Sequence, residues 1–323
     1  MKTNLLIGAG QLGSRHLQGL LKYKGSQIIY VIDPSPASLE IAKQRACEIE
    51  HKHIVHYNVS WEDIPHFFDL VIIATSANVR EKVINQLLKG FQIKYLLLEK
   101  VLFQEIDAYD KTAILLEEKI VKTWVNHPRR LFKSYIDIKQ HLNLEIPKVY
   151  QITGGNWGLG CNGLHFIDLI LFLSESKISS LDAEWVDELI LESKRTGFIE
   201  FTGTLKGRLE NGSSFFITSL KNESSAITNT IFDSNTRYII QEVGTPQTLI
   251  MKSEGNFKPE SIPFIMEFQS NLTTQLAEDI FQTGECNLPS YNEAAEAHKL
   301  FINCLLGKYK VLSGIETKIL PIT

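Results

Sequence analysis

Two polar side chains, His165 and Asp168, lie three residues apart in the apolar half of one stretch of the chain. The stretch, NWGLGCNGLHFIDLILFL over residues 156–173, begins rich in glycine and continues as an apolar helix. Burying such groups without partners costs a few kcal/mol each, so their presence needs a reason. An imidazole titrates near neutral pH, which makes His165 a candidate general acid or base. The glycines before it would let the chain pass close to a bound ligand.

Other interpretations of these residues stay open. His165 can be a core histidine whose ring is satisfied by internal hydrogen bonds. For Asp168 we favour a structural role, in which it anchors the helix or orients the His165 ring. A metal site formed with Cys161 is not expected, because no further cluster of ligand residues lies at a suitable spacing.

A charged pair, Glu99 and Lys100, ends the apolar run LLLEKVLF at residues 96–103. An ammonium at such a strand end can hold a substrate hydroxyl and stabilise the negative charge that develops on its oxygen. The simpler interpretation is that the strand meets water here. Farther along, Arg129 and Arg130 in NHPRR either clamp a phosphate or carboxylate of a substrate or begin a solvated helix.

The segment GAGQLG at residues 8–13 directly follows the first apolar strand and opens a helix, as a dinucleotide-binding turn does. In that interpretation Gly8 permits the tight turn, Gly10 lets the backbone approach a pyrophosphate, and Gly13 lets helix and strand pack closely. The helix N-terminus, with Gln11 and Leu12 between the glycines, supplies N–H groups for the phosphates.

Asp33 closes the second strand, twenty residues beyond the last glycine of that turn. Its carboxylate would accept hydrogen bonds from the adenosine ribose and repel a 2′-phosphate, and no Arg or Lys follows within DPSPAS. The sequence therefore favours NAD(H) over NADP(H), although Asp33 can also be a solvated turn residue before Pro34. Thr75 and Ser76, at the end of the fourth strand, either line the cofactor cleft or merely begin the next helix.

Apolar runs alternate with amphipathic stretches over the first 125 residues, which predicts a doubly wound parallel sheet with helices on both faces. The predicted strands cover residues 4–8, 27–33, 53–57, 69–75, 94–100 and 121–126, and the predicted helices 12–24, 37–49, 79–89 and 107–119. Beyond them we predict a helix at 128–142, a strand at 147–154, an antiparallel sheet over 196–250 with a hairpin turn at Asn211-Gly212, and a last helix at 292–306. The domains are then a Rossmann domain, residues 1–125, and an α+β domain, residues 126–323.

The bulk properties exclude several classes of protein. The 323 residues carry a formal net charge of −4, which gives no reason to expect nucleic acid or an anionic membrane as a partner. No apolar run has the length of a membrane helix. The four cysteines lie far apart, as reduced thiols do, so we expect a cytoplasmic protein.

The order of these motifs resembles the Gfo/Idh/MocA family, named for glucose-fructose oxidoreductase, inositol dehydrogenase and rhizopine catabolism. The resemblance covers roughly residues 1–175 and the segment LPSYNEAAEAHKLFINCLL near the C-terminus. It implies a Rossmann domain and an antiparallel-sheet domain that covers the cleft and joins subunits, here into a homodimer or homotetramer. It also implies oxidation or reduction of a hydroxyl or keto carbon of a sugar, cyclitol or sugar nucleotide with a tightly held nicotinamide.

Carried over by position, the EK of the family's EKP motif falls on Glu99 and Lys100, while the proline, often linked to a cis peptide, is Val101. The family's asparagine-and-arginine segment resembles Asn126 with Arg129 or Arg130. These matches imply a cofactor contact for Glu99 and Lys100, and substrate contacts for Lys100, Asn126 and Arg129.

The family's DxGxHxxD motif places its catalytic histidine on His165, with Gly163 and Asp168 also matching. Its first aspartate is Cys161 here, and a neutral thiol cannot stabilise an imidazolium as a carboxylate does. The neighbouring Asn162 is the expected substitute for a substrate contact.

The sequence therefore predicts an NAD-dependent dehydrogenase in which Lys100 polarises the reacting oxygen and His165 exchanges its proton. The changed motif positions favour one alternative, a dinucleotide-binding sensor or scaffold that has lost catalysis. A related chemistry, such as reduction of a non-sugar ring or NAD-assisted bond cleavage, is a third and weaker possibility.

Overall fold

Six parallel strands form the first sheet of the protein, whose computed structural model describes all residues from 1 to 323. The strand order is β3-β2-β1-β4-β5-β6, which is the Rossmann order, and every neighbouring pair is parallel. The strands are β1 (Lys2–Ile7), β2 (Gln27–Ile32), β3 (Ile54–Asn58), β4 (Phe67–Ile73), β5 (Gln92–Glu99) and β6 (Lys122–Asn126). The four helices between them are α1 (Gly13–Leu21), α2 (Pro36–Ala46), α3 (Ala77–Gly90) and α4 (Asp107–Glu118).

The core of this sheet explains why its strands read as continuous apolar runs. Leu5 and Ile7 of β1 are buried in one cluster with Leu96 of β5, and the alternate residues Leu6 and Leu97, which point to the opposite face, are buried as well. A parallel sheet covered on both faces needs apolar side chains in both directions. The predicted doubly wound fold is confirmed.

A second sheet has eight strands in the order β16-β15-β14-β13-β7-β12-β11-β8. These strands are β7 (Val149–Gly155), β8 (Ile178–Asp182), β11 (Gly203–Leu209), β12 (Ser214–Leu220), β13 (Thr228–Phe232), β14 (Thr236–Gln241), β15 (Gln247–Lys252) and β16 (Glu260–Pro263). A separate short ladder pairs β9 (Leu191–Glu192) with β10 (Ile199–Glu200).

The second sheet is largely antiparallel, as predicted, with one exception. Strands β7 and β12 pair in parallel. A parallel pair requires a crossover connection, and the chain between these two strands includes the helix α6 (Leu159–Ser174). The predicted hairpin joins β11 to β12, and Gly212 adopts a φ of 84° at its turn.

The remaining helices are α5 (Lys133–His141), α7 (Gln269–Thr283) and α8 (Tyr291–Ser313), with short 3-10 helices at Pro128–Leu131 and Ser253–Gly255. The single helix predicted over 128–142 is therefore a 3-10 turn followed by α5. Helix α7 was not predicted, although Leu272, Leu276 and Ile280 recur at helical spacing and are buried. None of the helices combines the length and apolar composition that crossing a bilayer requires.

The chain forms two compact units. Unit 1 comprises Met1–Phe103, Asp107–Pro128 and Glu267–Ala295, and unit 2 comprises Gln104–Ile106, Arg129–Met266 and Glu296–Thr323. These units differ from the predicted division at residues 125 and 126 mainly because the chain returns to unit 1 with α7. That helix packs on α1, where an added Cβ at Gly19 would meet Ser270 and Thr273.

Candidate active site

The glycine turn of unit 1 uses its three glycines in two different ways. Gly8 has a φ of 94°, and a Cβ there would lie 2.9 Å from the carbonyl carbon of Ala74. A Cβ on Gly13 would overlap the carbonyl oxygen of Gly8, whereas one on Gly10 would meet no atom within 4 Å. Packing therefore requires Gly8 and Gly13, while the space beside Gly10 is open to a ligand.

Asp33 and Arg45 hold this turn in place. Asp33 Oδ2 accepts a hydrogen bond from the Ala9 N–H at 2.7 Å, and Oδ1 accepts from the Ser35 N–H at 2.8 Å. Arg45 Nη1 donates to the Gln11 carbonyl at 2.7 Å, and Nη2 donates to Gln11 Oε1 at 2.5 Å. Arg45 lies in the last turn of α2, where no local pattern marks it, and the sequence did not identify it.

Thr75 and Ser76 differ in what they contact. Ser76 Oγ donates to Asn78 Oδ1 at 2.7 Å at the start of α3. Thr75 Oγ1 is buried and has no hydrogen-bond partner among the protein atoms, although its carbonyl accepts from Arg80. A buried hydroxyl in this state has a donor and acceptor to offer a ligand.

A dinucleotide fits these residues. The first turn of α1 has no side-chain cap, so its N–H groups suit a phosphate. The open space beside Gly10 and the buried hydroxyl of Thr75 add room and a polar contact. Leu12 takes the N-cap position of α1 and brings its N–H to the same turn.

Glu99, the last residue of β5, is a buried carboxylate with several partners. Its Oε1 accepts from Asn126 Nδ2 at 2.5 Å and lies 2.9 Å from His16 Nε2. Burial alone would raise the pKa of Glu99, but His16, Asn126 and Lys100 together hold it below its ordinary value. Glu99 is therefore an anion that fixes the strand end carrying Lys100.

The peptide bond between Lys100 and Val101 is cis. The resemblance associates a cis bond with the proline of the EKP motif, and here the bond is cis with valine in that place. The Val101 side chain is fully buried, and Arg80 donates to the Val101 and Leu102 carbonyls.

In unit 2, the glycine-rich start of α6 surrounds a buried carboxylate. Glu200 Oε2 accepts from the Gly160 N–H at 2.8 Å, and Oε1 accepts from the Cys161 N–H at 3.0 Å. An added Cβ on Gly158 would lie 2.8 Å from Glu200 Oε1, and one on Gly163 would lie 2.9 Å from the Phe301 ring.

These contacts correct one prediction and add one residue. The glycines before His165 make room for Glu200 and Phe301 of the same unit, where the sequence predicted a close approach to a ligand. Glu200 was not identified, because it lies 40 positions from Gly160 in a segment without a motif. Asn162 Nδ2 donates to the Trp157 carbonyl at 2.7 Å and so closes the turn.

His165 and Asp168 occupy the second and third turns of α6 with different surroundings. His165 is partly exposed, whereas Asp168 is buried and accepts from Arg130 Nε at 2.8 Å. Burial raises the pKa of Asp168 to about 6, against the opposing effect of Arg130. Asp168 thus anchors α6, which is the structural role that the sequence favoured.

Arg129 is committed to an internal partner. Its Nε and Nη2 donate to the two carboxylate oxygens of Glu242 at 2.8 and 2.7 Å. Tyr135 Oη also donates to Glu242, at 2.7 Å, and the guanidinium carbon of Arg129 lies 4.2 Å from the centre of the Phe166 ring. This bidentate ion pair with Glu242 has a structural role. The predicted substrate contact of Arg129 therefore has to use its remaining N–H groups.

Comparison with known proteins identifies the first part of the chain. Residues 2–127 match the Gfo/Idh/MocA family, described as an oxidoreductase family with an NAD-binding Rossmann fold. The match confirms the resemblance over the region that holds the glycine turn, Asp33, Glu99 and Lys100. No curated protein sequence matches the chain.

Solved structures share the fold of nearly the whole chain. UDP-N-acetylglucosamine 3-dehydrogenase GnnA from Acidithiobacillus ferrooxidans is 14% identical, with 97% of this chain and 98% of that chain covered and a TM-score of 0.70. An oxidoreductase from Agrobacterium radiobacter, in complex with NAD+, L-tartaric acid and magnesium, is 13% identical, with coverages of 96% and 97% and a TM-score of 0.72. A super-repressor mutant of Gal80p from Saccharomyces cerevisiae is 15% identical, with both coverages 96% and a TM-score of 0.74.

Proposed function

We propose that this protein is an NAD-dependent oxidoreductase that transfers a hydride to or from a secondary alcohol or keto carbon of a sugar, sugar nucleotide or cyclitol. The observation that carries the proposal is the buried carboxylate of Glu99, the residue before Lys100, whose Oε1 lies 2.9 Å from Nε2 of His16 in the helix that follows the glycine turn. An ammonium at the end of a strand can hold a substrate hydroxyl and stabilise the negative charge that develops on its oxygen.

The cofactor would be held by Gly8, Gly10, Gln11, Leu12 and Gly13, by Thr75 and Ser76, and by Asp33, Glu99 and Lys100. When bound, NAD supplies the hydride acceptor or donor. The Asp33 carboxylate already fixes the turn through Ala9, and its negative charge would repel a 2′-phosphate. Selection of NAD over NADP is therefore part of the proposal.

The chain's own residues would handle the substrate oxygen and its proton. The Lys100 ammonium donates a hydrogen bond to the reacting oxygen, and the His165 imidazole takes the hydroxyl proton during oxidation and returns it during reduction. Asn126 and Asn162 supply further hydrogen bonds to substrate hydroxyls. Asn126 Oδ1 is buried without a partner in the protein, which leaves it an acceptor to offer.

GnnA, with the same fold over nearly the whole chain, is a dehydrogenase of a sugar nucleotide. This supports a sugar-like substrate for the present protein. We also propose a homodimer or homotetramer joined through the large sheet of unit 2.

The test is turnover of a panel of sugars, sugar nucleotides and cyclitols with NAD+ or NADH. Lys100→Ala should abolish turnover while the NAD(H) dissociation constant stays within about threefold, because the ammonium acts on the substrate oxygen. Lys94→Ala, at an exposed lysine of the same strand, is the matched control and should keep wild-type turnover. Wild-type turnover by Lys100→Ala would remove the proposed mechanism.

One specific observation favours a second candidate, a dinucleotide-binding sensor or scaffold without catalysis. Cys161 and Val101 replace two motif residues, and Gal80p, whose fold this chain shares, is a transcriptional regulator. That candidate predicts NAD(H) binding without turnover of any member of the panel, and a gain of turnover on Cys161→Asp.

A further inference from the structure

Five side chains of unit 1 close a ring of hydrogen bonds beside Lys100. His16 of α1 has Nε2 2.9 Å from Glu99 Oε1 and Nδ1 2.9 Å from Thr273 Oγ1. Gln269 Nε2 donates to Thr273 Oγ1 at 3.1 Å, and Asn126 Nδ2 donates to Gln269 Oε1 at 3.1 Å and to Glu99 Oε1 at 2.5 Å. The ring thus connects α1, β5, β6 and α7.

The direction of each bond follows from the chemistry of the groups. An ionised Glu99 only accepts, so His16 Nε2 carries a proton and donates it. Thr273 Oγ1 accepts from Gln269 and lies 2.9 Å from the other ring nitrogen of His16, Nδ1. Each bond of the ring then joins a donor to an acceptor, and a buried network of this sort fixes the positions of its members.

His16 itself is completely buried, and Glu99 is only 3% exposed. A buried carboxylate without donors is strongly unfavourable, and His16 is the one donor to Glu99 that comes from the cofactor-binding helix. Helix α1 begins at Gly13, so His16 lies one turn beyond the glycine turn. The ring therefore joins the element predicted to bind the dinucleotide to the strand end that carries Lys100.

We propose that His16 is a positioning residue of the reaction: it holds Glu99 and, through Glu99, sets the position and charge environment of the Lys100 ammonium. The expected effect of His16 on kcat rests on the proposed function, whereas its contact with Glu99 does not. The groups that face Glu99 are His16 from α1, Asn126 from β6 and Lys100 from its own strand. Loss of the His16 donor leaves more of the Glu99 charge to act on Lys100.

The kinetic experiment uses the full chain with His16→Gln. Displacement of the ammonium should lower kcat about tenfold or more, while the KM of the sugar substrate and the dissociation constant of NADH change less than threefold. Thr273→Val, which removes the hydroxyl that holds Nδ1, should lower kcat in the same direction, and Thr273→Ser should restore it. His56→Gln, at an exposed histidine of β3, is the matched control and should leave kcat unchanged.

A double-mutant cycle separates this role from a general loss of stability. If His16 acts through Glu99, the double variant His16→Gln with Glu99→Gln should be no slower than Glu99→Gln alone. Multiplied losses of kcat would show that His16 acts independently of Glu99 and would overturn the proposal.

A readout that needs no substrate keeps this proposal distinct from the proposed function. In ¹⁵N-labelled protein, the ring nitrogens of His16 are assigned by their disappearance in His16→Gln. We expect a proton on Nε2. The Lys100 amine, labelled with ¹³C-methyl groups and assigned with Lys100→Arg, should titrate at higher pH in His16→Gln than in wild type. An Nε2 without a proton, or a Lys100 titration unchanged by His16→Gln, contradicts the proposal even if no substrate is ever found.

Discussion

Two glycine-rich turns lead into helices in this protein, and the two helix starts treat negative charge in opposite ways. The turn before α1 has no side-chain cap, and Gly10 faces open space. The turn before α6 already holds an anion, because Glu200 accepts from the Gly160 and Cys161 N–H groups. A helix N-terminus attracts one negative group, so the first turn suits a phosphate and the second is filled by the chain itself.

This difference separates the two kinds of glycine. In the first turn, Gly10 is the position whose missing side chain leaves space for a ligand. In the second, Gly158 and Gly160 give room to a carboxylate of the same chain. Glycine content alone therefore does not distinguish a ligand-binding turn from one that closes on its own protein.

The largest expected effect is on the stability of the chain when the Glu200 carboxylate at the start of α6 is changed. Glu200→Gln removes the charge and one of the two acceptors, and it should lower the free energy of unfolding by about 2 to 3 kcal/mol. Urea unfolding measures this, and Glu192→Gln, at an exposed glutamate nearby in sequence, is the control that should change little. Equal stabilities of the two variants would show that the carboxylate contributes nothing to the α6 start.

The next effect concerns pH. Burial raises the pKa of Asp168 from 3.8 to about 6, so the folded chain binds this proton more tightly than the unfolded chain does. The stability that the protonated group contributes is present below pH 4 and is lost as pH rises through 6.

Comparison of wild type with Asp168→Asn across this range measures the loss. The stability difference, wild type minus variant, should fall as pH rises from 4 to 6 and then level off. Asp182→Asn, at an exposed carboxyl of β8, is the control. A difference that grows with pH in that range would contradict the raised pKa.

A smaller effect is expected when the motif's aspartate is restored. Cys161→Asp places a second carboxylate in the first turn of α6, whose N–H groups already bind the Glu200 carboxylate. Repulsion between the two negative charges should lower the free energy of unfolding by about 1 kcal/mol at neutral pH. Glu200→Gln in the same chain should relieve part of this cost. Additive losses in the double variant would show that the two carboxylates do not interact.

The smallest effect on stability is expected at the open turn. Gly10→Ala meets no atom within 4 Å, so the free energy of unfolding should change by less than about 0.5 kcal/mol. The added methyl group would occupy the space proposed for the pyrophosphate, and NAD(H) affinity should fall about tenfold. Unchanged affinity, measured by titration calorimetry, would place the ligand elsewhere.

The sequence predicted the parts of this fold that local patterns determine. The strands of the first sheet are apolar runs bounded by turn residues, and the Asn211-Gly212 turn was visible from two residues with a known backbone preference. The glycine turn between β1 and α1 was predicted for the same reason: its spacing is local and its context of strand and helix is short.

Local sequence patterns could not predict contacts between residues that are distant in the sequence. His16 contacts Glu99 across 83 positions and Thr273 across 257. Such pairs arise from the packing of α7 on α1 and have no periodic signature. The spacing of the buried leucines could have predicted helix α7. No pattern in the sequence could have predicted that Glu200 binds the start of α6.

The most direct measurement follows a label from substrate to cofactor. A sugar nucleotide carrying deuterium on the carbon to be oxidised is incubated with NAD+ and excess protein for a single turnover. The mass of the NADH formed is then measured by mass spectrometry. We predict deuterium in the NADH formed by wild type and none with Lys100→Ala or His165→Ala, although both variants bind NAD+. Equal deuterium transfer by either variant, or none from any labelled sugar or cyclitol with wild type, would contradict the account.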